Sequence, residues 1–261
     1  MNAENGQFPA RIRVGIVNYL NTKPLIYGLE RSPMCEQIDL IGDYPSNVAR
    51  LLEKDEIDVG LIPVAVIPTL SSYHVNGNYC IGTQGEIASV GLFSEVPLRE
   101  IKKVYLDYQS RSSVALLRWL MKESWGINPE IVEAADESFR DELRGTTAGL
   151  VIGDRALEQR KHSTFIYDLG SEWRSITGLP FVFAAWVSKT PLPDDFVRRF
   201  DQANGLGMQH LDDILDSNPY PLFDLRKYYT LHLSYDLDDA KRRGMEKFLQ
   251  VITEPEFQSV Y

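Results

Sequence analysis

Apolar positions recur along this chain in two periods, and their alternation predicts the elements. Residues 11–17, Arg-Ile-Arg-Val-Gly-Ile-Val, alternate and then run apolar as a strand does, and residues 24–31 read as a short helix. Ile38–Ile41 is a strand. Pro45-Ser46 opens a helix whose apolar face is Val48, Leu51 and Leu52, and Ile57–Ile62 is a strand too apolar to face water. Strand, helix, strand in that order predicts a parallel sheet. Further strands fall at Ile87–Phe93 and Val104–Leu106. The clearest helix lies in SRSSVALLRWLMKESWGI, with Val114, Leu117, Leu120, Met121 and Trp125 at helical spacing and serines crowding its start. EIVEA, AGLVIG and FIYDL are strands separated by the helical stretches ESFRDELR and DRALEQR. LPFVFAAWVSK is a long strand leading to Pro191 and Pro193, and from Asp194 the pattern turns mostly helical.

Two α/β blocks followed by a helical tail predict a two-lobed binding architecture. In it the chain crosses from lobe one to lobe two and back, and a ligand sits in the cleft between them. The crossings are expected near 90–106 and 182–190. Lobe one would then take 1–105 plus 190–261, and lobe two 106–189.

Composition narrows the class. The 261 residues are 44% hydrophobic and 25% charged, which is ordinary for a folded chain of one or two domains. No apolar run reaches the length of a membrane span. The opening MNAENGQFPARIRVGIV lacks the features of a secretory signal, and the two cysteines, Cys35 and Cys80, are far apart and read as free thiols that pack. A cytoplasmic location is the expectation. Net charge is −10 and basic residues are scattered; the triplet Lys241-Arg242-Arg243 reads as the solvated face of a helix. Neither a nucleic-acid nor a membrane partner is expected, which leaves a small molecule.

Candidate chemistry is sparse in recognised motifs. The chain has no GxSxG, HExxH, GxxxxGK[ST] or GxGxxG, and His74, His162, His210 and His232 are isolated, so no metal is expected. Polar groups gather instead at element ends. Asn21 and Thr22 precede a helix, as do Ser110, Arg111, Ser112 and Ser113. Gly153-Asp154 joins a strand to a helix, Ser89 lies on a strand near a crossing, and Thr177 and Gly178 lie in SITGLP between a helix and a strand. Each alone is an ordinary cap or turn. Converging on a cleft, such helix starts offer free N–H groups and partial positive charge to an anion, without a basic patch.

The motifs YLNTKPL (19–25), IDVGLIPV (57–64), SVGLFS (89–94), LDYQSRSSVALLR (106–118), IGDRAL (152–157) and DLGSEWRSITGLPFVFAAW (168–186) occur in this order. Together they resemble the chorismate dehydratase family of the futalosine route to menaquinone; the segment after 190 adds little. The resemblance implies an α/β, periplasmic-binding-protein-like (type II) fold that acts as a carbon–oxygen lyase. The implied reaction removes water from chorismate to give 3-[(1-carboxyvinyl)oxy]benzoate, with neither metal nor organic cofactor. It implies Asn21 as the catalytic residue, because the motif centres on the Asn after Tyr-Leu, while Asn18 belongs to the turn. Ser89, Ser110, Arg111, Ser112 and Ser113 would bind substrate carboxylates, with Asp154, Thr177 and Gly178 completing the site. The shared motifs offer no obvious general base, and one physical option is that the substrate's own enolpyruvyl carboxylate takes the proton. One departure is Ser112, where relatives often carry Thr; the hydroxyl is kept. The sister dihydroxynaphthoate synthase family opens on a different motif. The alternative class is a non-catalytic solute-binding or sensing protein for a small carboxylate.

Overall fold

Two sheets account for the strands of residues 11–258, the part of the chain that this computed structural model describes. In chain order the strands are β1 (Ile12–Val17), β2 (Ile38–Asp43), β3 (Val59–Pro63), β4 (His74–Thr83), β5 (Val90–Ser94), β6 (Lys103–Leu106), β7 (Glu130–Glu133), β8 (Thr147–Ile152), β9 (Phe165–Asp168), β10 (Phe181–Ser188) and β11 (Ser234–Asp236). The helices are α1 (Lys23–Arg31), α2 (Pro45–Glu53), α3 (Ser112–Leu120), α4 (Asp154–Gln159), α5 (Leu169–Thr177), α6 (Asp194–Gln209), α7 (Leu211–Ser217), α8 (Leu225–Lys227), α9 (Asp239–Thr253) and α10 (Pro255–Gln258). The first sheet runs β11-β4-β10-β3-β1-β2 and the second β7-β6-β8-β5-β9. Each sheet with its helices is one lobe.

The parallel pairing expected at the N-terminal end is present. β1 lies parallel to β2, from Ile12 opposite Ile38 to Val17 opposite Asp43, and also parallel to β3. β3 is buried at every residue, as its unbroken apolar run requires. β10 is antiparallel to both β3 and β4 and separates them. On the same lobe α1 and α6 touch backbone to backbone. A Cβ built on Gly28 would lie 1.8 Å from the Ala203 carbonyl oxygen, and one on Gly207 1.8 Å from that of Pro24. Only glycine permits this approach. Near the second crossing Trp173, Phe181 and Phe248 pack edge-to-face, with centroids 5.3 Å and 4.8 Å apart along the series, tying α5 to β10 and α9.

Several expectations need correction. β5 and β6, within 90–106, belong to the second sheet, and β10 belongs to the first. The chain therefore crosses at 84–89 and 178–180, not at 90–106 and 182–190. The physical reason is that apolar period marks a strand but not its partner. β5 pairs with β8 and β9, which come much later in the chain. Lys241 is buried, not solvated: its Nζ meets Asp238 Oδ2 at 3.2 Å and its stem lies along β4 at Gly82. Cys80 packs in the core, where burial pushes its thiol up to about 12, but Cys35 is exposed. Both are free thiols. Among the described residues no helix is long and apolar enough to cross a membrane. The first ten residues, on which the expectation of no secretory signal mostly rests, lie outside the described part.

Candidate functional site

A cavity of about 50 Å³ lies between the lobes, where the carboxyl ends of β1 and β3 meet the first crossing and the start of α3. Its apolar walls include Val17, Leu61, Ile81, Ile87, Ile152 and Phe183, and its polar groups are Tyr19, Asn21, Ser89, Ser110 and Ser113. Helix starts converge on it. Asn21 lies in the turn before α1, Pro45 opens α2, and Ser110 precedes α3, where its Oγ accepts the Ser113 N–H at 3.1 Å. The location outside strand ends, at a switch between lobes, is where α/β folds bind ligands. Thr22 Oγ1, 3.2 Å from Asn21 Oδ1, gives its proton to the nearer Val17 carbonyl at 2.6 Å, and Asn21 Nδ2 donates to no described protein group. The Tyr19 phenol is pushed up, first by burial, and stays protonated.

This conformation is closed. Small-molecule sites usually offer about 300–1,000 Å³, and 50 Å³ holds a few waters at most. Entry of a ring-sized ligand therefore requires the lobes to part. Hydrogen bonds across the cleft hold them together. Tyr19 OH donates to Gln109 Oε1, Leu20 N–H to the Asp154 carboxylate at 3.0 Å and Ala65 N–H to Ser112 Oγ at 3.1 Å. Ser46 N–H donates to the Gln109 carbonyl at 3.1 Å. Behind Tyr19, Arg155 Nη2 donates to Gln109 Oε1 and to the buried Asp107 carboxylate, each at 2.8 Å. Burial pushes Asp107 up, against the pull of Arg155. Burial also pushes Asp154 up to about 6, opposed by the Leu20 N–H.

The first crossing is strained and pinned. Ala88 takes φ +63, a left-handed conformation that costs about 1–2 kcal/mol in a non-glycine residue. The Asp168 carboxylate holds it there, accepting N–H groups from Ile87 at 3.1 Å, Ala88 at 2.8 Å and Ser171 at 3.0 Å. Ser89 follows directly, 1% exposed, and lines the cavity.

Of the residues singled out from sequence, Asn21, Ser89, Ser110 and Ser113 come together around the cavity. The others lie elsewhere. Asp154 and Ser112 are clasps between the lobes. Arg111 is exposed and pairs with Glu53 at 2.8 Å, facing an outer groove. Thr177 and Gly178 end α5: Thr177 Oγ1 donates to the Trp173 carbonyl, and Gly178, at φ +69, is the left-handed cap. Asn18 accepts from Lys23 Nζ at 2.9 Å. Sequence reasoning missed Tyr19 and Gln109, although both sit inside quoted motifs. It also missed three tyrosines of the C-terminal segment. Tyr228 OH donates to Ser89 Oγ at 2.7 Å, Tyr235 OH to the Asn21 carbonyl at 2.8 Å and Tyr220 OH to the Asp154 carbonyl at 3.1 Å. No periodic signal marks them. Among the described residues no group of three His, Cys, Asp or Glu is placed to hold a metal.

Comparison with known proteins agrees with this fold. A protein of Archaeoglobus fulgidus superposes with a TM-score of 0.78 at 13% identity, covering 98% of this chain and all of that one. The periplasmic aliphatic sulphonate binding protein of Escherichia coli gives 0.63 at 15% identity, over 95% and 88% of the two chains. A Candida albicans protein described as having the generic periplasmic binding protein fold gives 0.62 at 13% identity, over 92% and 89%. The fold is periplasmic-binding-protein-like. In sequence, the chorismate dehydratase of Thermus thermophilus is 26% identical across 93% of this chain and 95% of its own length. A family model described as menaquinone biosynthesis matches residues 12–254, and the chain belongs to that family.

Proposed function

We propose that the protein is a chorismate dehydratase, forming 3-[(1-carboxyvinyl)oxy]benzoate and water. The observation that carries the reading is the chemistry of the cavity wall. Its polar groups are amide and hydroxyl, and none of its lining residues is Asp, Glu, His, Lys or Arg. Such a wall positions a substrate and excludes water, but supplies no strong base. Chorismate needs only that. Its C3 proton passes to its own enolpyruvyl carboxylate, the C4–oxygen bond breaks, and hydroxide with that proton leaves as water while the ring becomes aromatic. Asn21, whose Nδ2 has no protein partner among the described residues, would hold the leaving hydroxyl or orient the carboxylate. Ser89, Ser110 and Ser113, with the start of α3, would receive carboxylate oxygens. Membership of the menaquinone-biosynthesis family and likeness to the Thermus enzyme support this substrate.

The test is incubation of chelator-dialysed protein with chorismate, followed by absorbance and mass. Loss of one water by the wild type and its absence in Asn21→Ala supports the reading. Tight binding of unchanged chorismate refutes it in favour of a carrier or sensor.

A further inference from the structure

The C-terminal segment reaches the site through phenol hydroxyls. Tyr228 is 0% exposed and Tyr235 6%, so each hydroxyl must find its partner within the protein. Tyr228 sits in a widened helical turn at Tyr228–His232, a local departure that costs regular hydrogen bonding and is frequent at functional sites. Its hydroxyl bonds Ser89 Oγ, at 2.7 Å. A phenol is the better donor and an alkyl hydroxyl the better acceptor, so the Tyr228 proton points at Ser89. Burial pushes the Tyr228 phenol well up, which keeps that proton in place. With its oxygen already accepting, Ser89 has its own O–H left over, and the cavity is where that proton can go. Tyr235 acts one step away, fixing the carbonyl of Asn21.

We propose that Tyr228 is a positioning residue that makes Ser89 a committed hydrogen-bond donor to a substrate carboxylate, and that Tyr235 does the corresponding service for the turn carrying Asn21. The assignment rests on the chorismate reading. It gives the C-terminal segment a part in the chemistry although none of its described residues lines the cavity. Neighbouring Tyr229 provides an internal control, because its buried hydroxyl has no hydrogen-bond partner among the described residues.

The experiment is a double-mutant cycle on chorismate turnover, with Tyr228→Phe, Ser89→Ala and the pair. Tyr228→Phe should lower kcat/KM about tenfold, with most of the loss in KM. In the Ser89→Ala background the same change should cost less than about twofold, because its target is gone. Tyr229→Phe should match the wild type. Equal losses from Tyr228→Phe in both backgrounds, or a loss as large in Tyr229→Phe, would show general structural damage and overturn the proposal. Tyr235→Phe is the second variant should Tyr228→Phe not fold; it should lower kcat severalfold, and wild-type kcat would overturn the proposal. An inactive wild type overturns the chorismate reading and this role together, whereas an active wild type with an additive cycle overturns this role alone.

Discussion

Replacing Asp154 by asparagine should stabilise this protein at neutral pH, although it removes an acidic residue from a hydrogen-bonded clasp. The folded carboxyl titrates at about 6 against an ordinary 3.8, chiefly because it is buried. A raised pKa means that the folded state keeps a proton which the unfolded chain has released. Its contribution is complete below the unfolded value and is lost as pH rises through the folded one. Two units at ~1.4 kcal/mol each set a ceiling of ~3 kcal/mol. The position in the first turn of α4 returns part of this to the carboxylate, ~0.3–1 kcal/mol. Asparagine keeps one acceptor for the Leu20 N–H, which now meets two oxygens at 3.0 and 3.3 Å. The expected gain is ~1–2 kcal/mol at about pH 7.5, worth roughly 2–8 °C in Tm, and near zero at about pH 4. Urea unfolding of both proteins at the two pH values measures it. A variant less stable than wild type at neutral pH, or a difference that does not change with pH, would refute the electrostatic argument.

Two further substitutions probe the frame of the cavity. Gly153→Ala should cost ~2–4 kcal/mol and impair turnover. Gly153 has φ +65, and a Cβ there would meet the Tyr19 ring at 2.9 Å, so both backbone and cavity wall must shift; thermal melts and chorismate kinetics read the two effects. Asp168→Asn should cost ~1–3 kcal/mol, because an amide nitrogen must face at least one of the three N–H groups now bound by carboxylate oxygen. Hydrogen exchange at Ile87, Ala88 and Ser171 should rise in that variant, and unchanged protection at all three would count against the pinning of the crossing.

Much of this was legible along the chain. The apolar run before Pro63 marked a strand buried on both faces, and the serines before Val114 marked a helix start that does face the cavity. What local pattern cannot carry is partnership. β10 was recognisable as a strand, but nothing within 181–188 says that it inserts between β3 and β4. Thr177-Gly178 has the composition of a ligand loop and of a helix cap alike, and only the left-handed Gly178 beyond α5 distinguishes them. Tyr228 and Tyr235 were invisible because a positioning hydroxyl leaves no spacing rule behind. Its meaning lies in a partner 139 residues away in one case and 214 in the other.

The place of β10 also governs how the chain must be made. β3 and β4 leave the ribosome well before the strand that joins them, with all of lobe two still to come. Lobe two can close its sheet as soon as β9 emerges, since all five of its strands are then available. Lobe one cannot, and in the meantime β3 offers an apolar open edge to any other chain. Synthesis therefore passes through an interval, ending only when residues 181–188 arrive, in which the first lobe lacks the strand between β3 and β4 and is prone to aggregate. Slow translation across lobe two lengthens that exposure, so yield in a host cell should fall as elongation across residues 84–180 is slowed.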